Sequence, residues 1–362
     1  MSNGSSFTLG QDPLPRCLVT INILTSDPAH SHQLARLQAC SAILHTHDRL
    51  LDLDSPHASK YFTAVNPDKR FNVSSASGEA LREIIELVRP RVLVANANRL
   101  TNNPIISKIC RAAGIHIIAD MTETAGLVAS GLAPRPFEHA DIVVAGTQGS
   151  LRGPSGALIF SRKGSVVMPP GSKNAQEWCS LGEAVHQSVF PGHQGGPHNH
   201  AITAMAVALG QAATPSFKKY QETVLKNAQA LADRLCDFGY RLDLTVPASH
   251  RIMMDLGSVD ARQVNRVLDA IGIVTGPVSD NRLHFGTLAM SSRGLLPQDF
   301  RLVAEIIHES VVMVQDTNNG RSRSGSALET VNLNNCIMDG PNILKIRRKV
   351  RNMTEQFAVV VG

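Results

Sequence analysis

The residues best placed to do chemistry follow apolar runs in the middle third of the chain. Asp120 comes immediately after the largely apolar run 115–119. If that run is a buried strand of a parallel sheet, Asp120 lies at the carboxyl end of the strand, where ligands of such sheets usually bind. The plainer interpretation is that Asp120 caps a turn after its strand. Three closely spaced histidines, His193, His198 and His200, also raise the hypothesis of a metal site.

The elements that would position these residues follow an α/β pattern. Residues 77–88 place Leu81, Ile84, Ile85 and Val88 on one helical face. A second helix is predicted from Ile105 to Ala113, after Asn103-Pro104 and before Gly114. Continuous apolar runs predict buried strands at 92–95, 115–120, 141–145 and 157–160. Such strands alternating with helices predict a mostly parallel sheet covered by helices on both faces.

Composition excludes several classes of protein. The 362 residues carry a net charge of +5, with the charges spread along the chain, so we expect no nucleic-acid partner. No apolar run approaches the roughly 20 residues that span a bilayer, so we expect no membrane association. The six cysteines include no CxxC pair, which favours free thiols in a reducing compartment. Residues 1–11 are polar and small and show no secretory signal, so we expect a cytoplasmic protein.

The chain divides by pattern into successive parts. We expect a disordered N-terminus at 1–10, a large α/β domain at 11–215, a connecting helix at 216–239 and a small C-terminal domain at 240–362. Within the last part, residues 316–342 are rich in Asn, Ser, Gly and Arg, which predicts a mobile loop. A basic helix is predicted at 343–357, with its charges on a solvated face.

Five segments carry a resemblance to a known family. Residues 119–131 are similar to ADMAHIAGLVAAG, residues 150–154 to the end of TTTTHKTLRGP, and residues 189–201 to VFPxxQGGPHNHA. Residues 47–54 and 286–294 fit two further segments. These motifs are long and in the same order as in serine hydroxymethyltransferases, so the chain resembles that family from about Gln11 onward.

The resemblance implies a fold, a cofactor and partners. The family has fold type I, a large domain with a mostly parallel sheet that holds pyridoxal phosphate and a smaller C-terminal αβ domain. Its members are usually dimers that share active-site residues. We therefore expect a homodimer, or a heterodimer with an active paralogue. The family's N-terminal region, which supplies dimer contacts and a catalytic glutamate, has no counterpart in the sequence, so we expect an N-terminally truncated member.

The family's catalytic lysine is replaced. That lysine forms a Schiff base with the cofactor aldehyde, and it is the K of TTTTHKTLRGP. Alignment through Leu151-Arg152-Gly153-Pro154 without a gap places Gly149 at the lysine position. Glycine has no side-chain amine. Pyridoxal 5′-phosphate could therefore bind here, but not as a normal lysine Schiff base.

Other departures from the family fall at positions that contact cofactor or substrate. Glu123 replaces a cofactor-contacting histidine, and Lys60 stands where a histidine stacks on the pyridine ring. The arginine that clamps the substrate carboxylate becomes His284. Asp27 lies in the segment 25–30, which resembles the phosphate-cradling turn, and puts a negative charge where a dianion should bind.

Some family positions are retained. Asp120 keeps the place that pairs with the protonated pyridine nitrogen, and Thr147 remains in the lysine segment. Gly195 and Gly196 match the glycines whose amides approach the phosphate, although a tight turn kept for folding would also explain them. The same motif accounts for His198 and His200, so we expect no metal site.

Two functions of different classes fit these residues. The first is a pseudoenzyme, with no intact catalytic set and a scaffolding or regulatory role. The second is a diverged hydroxymethyltransferase-like or aldolase-like enzyme of specialised metabolism, with Glu123, Lys60 and His284 as replacement groups. A weakly active member of one-carbon metabolism is a third, less favoured interpretation.

Overall fold

The structure is a computed structural model that describes residues 18–22, 31–44, 49–52, 63–65, 78–167, 178–243, 250–276, 278, 281–321 and 341–357. Lys60, Asp27 and residues 1–10 lie outside these described residues. The chain divides into two units, Met1–Lys218 and Lys219–Gly362.

The first half of the first unit alternates strands and helices. Its elements are β1 (Leu18–Asn22), α1 (Ser31–Ser41), β2 (Arg49–Asp52), β3 (Thr63–Val65), α2 (Gly78–Val88), β4 (Val92–Asn96), α3 (Ala97–Asn102), α4 (Ile105–Ala112), β5 (His116–Asp120), α5 (Ala125–Ala129) and β6 (Ile142–Gly146). Helix α2 buries the four apolar residues that its periodicity predicts, Leu81, Ile84, Ile85 and Val88. The short helix α3 was not predicted. It forms because the Asn96 side chain accepts a hydrogen bond from the backbone N–H of Asn98 and so caps the helix.

The second half of this unit completes the sheet and adds helices. Its elements are β7 (Ala157–Ser161), β8 (Val166–Val167), β9 (Cys179–Ser180), α6 (Leu181–Gln187) and α7 (Asn199–Ala212). Seven described strands form one sheet in the order β1-β7-β6-β5-β4-β2-β3. Strands β2 to β6 pair in parallel, whereas β7 runs antiparallel to β1 and β6. The mostly parallel α/β sheet predicted from the sequence is confirmed.

The core of the first unit explains why these strands are almost wholly apolar. Strands β6 and β7 are buried along their whole length, and Ile117, Ile118 and Ala119 of β5 are fully buried. A strand covered on both faces has no solvent-facing side, so it needs no alternation of polar and apolar residues. Polar groups therefore collect where the strands end.

The second unit begins within a long helix. Helix α8 (Pro215–Asp237) contains the division at residue 218 and corresponds to the connecting helix expected at 216–239. It is followed by β10 (Arg241–Asp243), β11 (Arg251–Asp255), α9 (Ala261–Ile271), β12 (Arg282–Gly286), α10 (Leu288–Ser292), α11 (Pro297–Arg321) and α12 (Pro341–Thr354). Strands β10, β11 and β12 form an antiparallel sheet. Residues of α8, α9, α11 and α12 share one apolar core with its strands.

Both ends of the loop predicted at 316–342 are helical. Helix α11 continues to Arg321, and α12 already begins at Pro341. Extending an existing helix adds one hydrogen bond per residue, so polar residues can prolong it even without an apolar face to bury. Residues 322–340 lie outside the described part of the chain.

Candidate functional site

Asp120 ends β5 at the carboxyl edge of the parallel strands, as its position in the sequence predicts. Its Oδ1 accepts a hydrogen bond from the backbone N–H of Thr122 at 3.0 Å. Its Oδ2 lies 3.6 Å from Nη1 of Arg36, and 15% of its side-chain surface is exposed. Asp120 thus caps the turn after its strand and also faces a guanidinium.

The turn after β5 is tied to the turn after β6. The hydroxyl of Thr122 accepts a hydrogen bond from the N–H of Gly146 at 3.1 Å. The hydroxyl of Ser150 accepts one from the N–H of Gly126, also at 3.1 Å. These bonds hold Asp120 and position 149 at one edge of the sheet, and Glu123 lies exposed in the first of the two turns.

Thr147 makes its hydrogen bonds within the loop that follows β6. Its side chain is buried, and its hydroxyl donates a hydrogen bond to the carbonyl of Pro154 at 2.7 Å. Its own carbonyl accepts from the N–H of Gly153 at 2.8 Å. The hydroxyl that the resemblance assigns to a cofactor therefore donates within the loop.

Gly149 opens a single helical turn, Gly149–Leu151, just beyond β6. Its φ is +64°, and a Cβ placed there would meet no atom within 4 Å. A residue with a side chain pays about 1–2 kcal/mol to adopt left-handed backbone. Position 149 thus lacks the amine of a lysine, and its backbone has a left-handed conformation that is unfavourable for lysine.

Arg36 is a site residue that the sequence motifs did not reveal. It lies on α1, between the buried Ala35 and Ala39. Its Nη2 donates to Oδ2 of Asp52 at 2.6 Å, while its Nη1 faces Asp120. The available signal was weak, namely one arginine between Ala35 and Leu37 in a predominantly uncharged segment.

The paired glycines and the histidines lie on an exposed segment before and at the start of α7. Gly195 and Gly196 are exposed, and a Cβ on either would meet no atom within 4 Å. His193 Nδ1 lies 2.6 Å from the carbonyl oxygen of Ser188, and the rings of His198 and His200 stack with centroids 5.9 Å apart. Within the described ranges, no group of three or more His, Cys, Asp or Glu side chains could hold a metal ion.

His284 belongs to the second unit. It lies on β12 opposite Met253 of β11, and Arg282 lies two residues before it, opposite Asp255. Burial lowers the pKa of His284, and the charges of Arg251 and Arg282 lower it further. A ring held neutral in this way offers a substrate carboxylate no permanent positive charge, unlike the arginine that the resemblance places there.

Pyridoxal phosphate does not fit the described residues as a lysine-bound group. Position 149 has no amine, and both oxygens of Asp120 already face partners, the N–H of Thr122 and the guanidinium of Arg36. Lys60, one of the candidate replacement groups, lies outside the described residues.

The chain is similar to known proteins over most of its length. The family model for serine hydroxymethyltransferase matches residues 21–307. A mitochondrial serine hydroxymethyltransferase of Schizosaccharomyces pombe is 38% identical over 333 residues, which cover 82% of this chain and 67% of the relative. A cytosolic serine hydroxymethyltransferase of Aspergillus fumigatus is 35% identical over an alignment of 375 positions, which covers 95% of this chain and 78% of the relative. A cytosolic serine hydroxymethyltransferase of Neurospora crassa is 33% identical over an alignment that covers 95% of this chain and 76% of the relative.

Proposed function

This chain belongs to the serine hydroxymethyltransferase family, and we propose that it is a catalytically degenerate member with a scaffolding or regulatory role. The family has fold type I, to which the mostly parallel α/β sheet corresponds, and its active members are pyridoxal-phosphate transferases of one-carbon metabolism. The observation that carries the proposal is Gly149, which lies in left-handed backbone at the position aligned with the Schiff-base lysine.

The chemistry of the cofactor explains why the residue at position 149 is decisive for the proposal. A lysine amine holds the cofactor aldehyde covalently until an amino-acid substrate displaces it. Without the amine, the cofactor depends on non-covalent contacts alone. Those contacts are weakened as well, because Thr147 donates its hydroxyl to Pro154 and Asp120 faces Arg36.

The test is covalent trapping of the cofactor aldehyde. The purified chain is mixed with excess pyridoxal phosphate, desalted and reduced with borohydride, and labelled lysines are located by mass spectrometry. We expect no absorption band to survive desalting and no lysine to be labelled above the surface background. A retained band with stoichiometric label on one lysine, Lys60 above all, would contradict the proposal.

Gly149→Lys is the matched variant for this test. It restores an amine in open space, although the left-handed backbone there opposes the change by about 1–2 kcal/mol. Label at residue 149 of this variant, with none in the parent, would tie the loss of cofactor to that single position. Absence of label in both proteins would mean that degeneracy extends beyond position 149.

A diverged enzyme of specialised metabolism is the second candidate, and the position of His284 favours it. The resemblance gives this position to the arginine that clamps the substrate carboxylate, and an imidazole there, whose pKa is lowered by burial and by the charges of Arg251 and Arg282, is available as a proton acceptor. Incubation with amino acids, followed by mass spectrometry of the products, tests this candidate. Turnover that His284→Ala abolishes would establish it at the expense of the first.

The proposed partner is a second copy of the chain or an active paralogue. Helix α7 supports this, because it is largely apolar yet leaves Val207 56% exposed, and Phe190, which precedes the helix in the chain, is 52% exposed. Native mass spectrometry of the chain alone and mixed with an active serine hydroxymethyltransferase distinguishes the two partners. A strictly monomeric chain in both samples would contradict this part of the proposal.

The proposed compartment is the cytosol. The described cysteines, Cys40, Cys110, Cys179 and Cys236, are free thiols, which suits a reducing environment. No helix in the described part of the chain is long and apolar enough to cross a membrane. Microscopy of a tagged full-length protein distinguishes cytosol from mitochondrion.

A further inference from the structure

A partly buried cluster of three charges lies at the carboxyl edge of the parallel strands. Arg36 of α1 contacts Asp52 at the end of β2 and Asp120 at the end of β5. The side chains of Asp52, Asp120 and Arg36 are 8%, 15% and 23% exposed. Charged side chains that are largely shielded from water are usually paired with opposite charges. The three side chains therefore form one charge cluster.

The topology explains how one guanidinium reaches both carboxylates. Strand β4 lies between β2 and β5, so the two aspartates end strands that are two sheet spacings apart, about 9–10 Å. Arginine carries two terminal nitrogens in a planar fork, and here each faces a different carboxylate. Nη2 lies 2.6 Å from Asp52, and Nη1 lies 3.6 Å from Asp120.

This arrangement conflicts with the role that the resemblance gives Asp120. A protonated pyridine ring that paired with Oδ2 would bring a second positive charge beside the guanidinium of Arg36, and Oδ1 already accepts from the N–H of Thr122. A guanidinium on the same chain also has a higher effective concentration than a dissolved ligand. Moving it away would disturb its close contact with the buried Asp52.

We propose that the guanidinium of Arg36 takes the place of the pyridinium as the partner of Asp120, so that the protein itself fills the position of the cofactor ring. Asp120 then serves an internal charge cluster that joins α1 to the ends of β2 and β5. The proposal rests on the proposed function in treating Asp120 as the ring-binding position, but it concerns the ring and not the missing amine.

The first experiment measures whether Arg36 and Asp120 interact. Unfolding equilibria are measured for the parent, Arg36→Met, Asp120→Asn and the double variant. We expect the combined effect on the unfolding constant to depart from the product of the single effects by at least about fivefold, because each single change removes the same contact. Effects that multiply to within about twofold would overturn the proposal.

The second experiment asks whether Asp120 can still bind a pyridine ring. The probe is pyridoxamine 5′-phosphate, which has no aldehyde and so cannot label a lysine. Its binding to the parent and to Asp120→Asn is followed by calorimetry. We expect affinities equal within about twofold, or no saturable binding to either protein. A loss of about tenfold or more in Asp120→Asn would show the carboxylate on the ring and overturn the proposal.

The two tests fail independently. A labelled lysine in the borohydride experiment would contradict the proposed function and leave the result with pyridoxamine 5′-phosphate unchanged. An Asp120-dependent affinity for pyridoxamine 5′-phosphate would overturn the Arg36 proposal even if no lysine were ever labelled.

Discussion

His250 is a buried imidazole whose protonation depends on folding. The residue is 6% exposed, and burial lowers its pKa from 6.5 to about 4. In the unfolded chain the ring takes up a proton as the pH falls through 6.5. In the folded protein the ring stays neutral until the pH reaches about 4. The unfolded state binds more protons across this window, so the free energy of unfolding decreases as the pH is lowered.

We expect His250 to cost about 2 kcal/mol of stability between about pH 7.5 and about pH 5. Urea unfolding at the two pH values measures the difference, and His250→Gln should reduce it by that amount. His284 and His116 also have lowered pKa values and retain part of the pH dependence in the variant. A variant with the same pH dependence as the parent would show that folding leaves the pKa of His250 unchanged.

Among the elements, the loop after β6 leaves no room for a side chain at Gly153. A Cβ on Gly153 would lie 2.8 Å from the carbonyl oxygen of Thr147 and 3.3 Å from Cβ of Ala208 in α7. Backbone cannot swing aside as a side chain can, so the loop that carries Gly149 would have to shift. We expect Gly153→Ala to lower the free energy of unfolding by about 1–3 kcal/mol, measured by urea or thermal unfolding.

Gly210→Ala is the control for that change, because it makes the same chemical substitution within α7. A Cβ on Gly210 would meet no atom within 4 Å, and alanine is a better helix former than glycine. We expect this variant to gain about 0.5–1 kcal/mol. Equal effects of the two substitutions would mean that the loop has room for a side chain at position 153.

The elements that the sequence predicted are those with a local signal. The apolar run 92–95 forms most of β4. Leu81, Ile84 and Ile85, which have helical spacing, lie on the buried face of α2. Helix α3 escaped prediction because its cap, Asn96, is also the last residue of a strand. The end of α11 escaped because polar composition predicts a loop even where helix propagation continues.

The site was predictable in part for the same reason. Motif positions such as Asp120 and Gly149 are fixed by sequence order, and the structure brings both to the edge of one sheet. The partner of Asp120 was not predictable, because Arg36 reaches it only once α1 packs on strands β5, β6 and β7. The backbone conformation of Gly149 likewise follows from the folded turn, since glycine alone specifies no sign of φ.

For the whole molecule, each of the two units has its own apolar core. The core of the first unit joins α1, α6 and the central strands, and the core of the second joins β11 and β12 to α8, α9, α11 and α12. A unit with its own core can unfold as a cooperative body. Stability in this chain is therefore expected to be a property of each unit.

Leu268→Ala tests this expectation from the second unit. Leu268 of α9 is fully buried, so its truncation leaves a cavity that costs about 2–5 kcal/mol. We expect hydrogen exchange to show lost protection in β11, α9 and β12, with the amides of β4 to β7 unchanged. Ile118→Ala, at a fully buried position of β5, is the matched control and should give the opposite distribution. If either substitution lowered protection equally in both units, the chain would unfold as one cooperative body. A destabilising substitution in the second unit would then also destabilise the turn that carries Gly149.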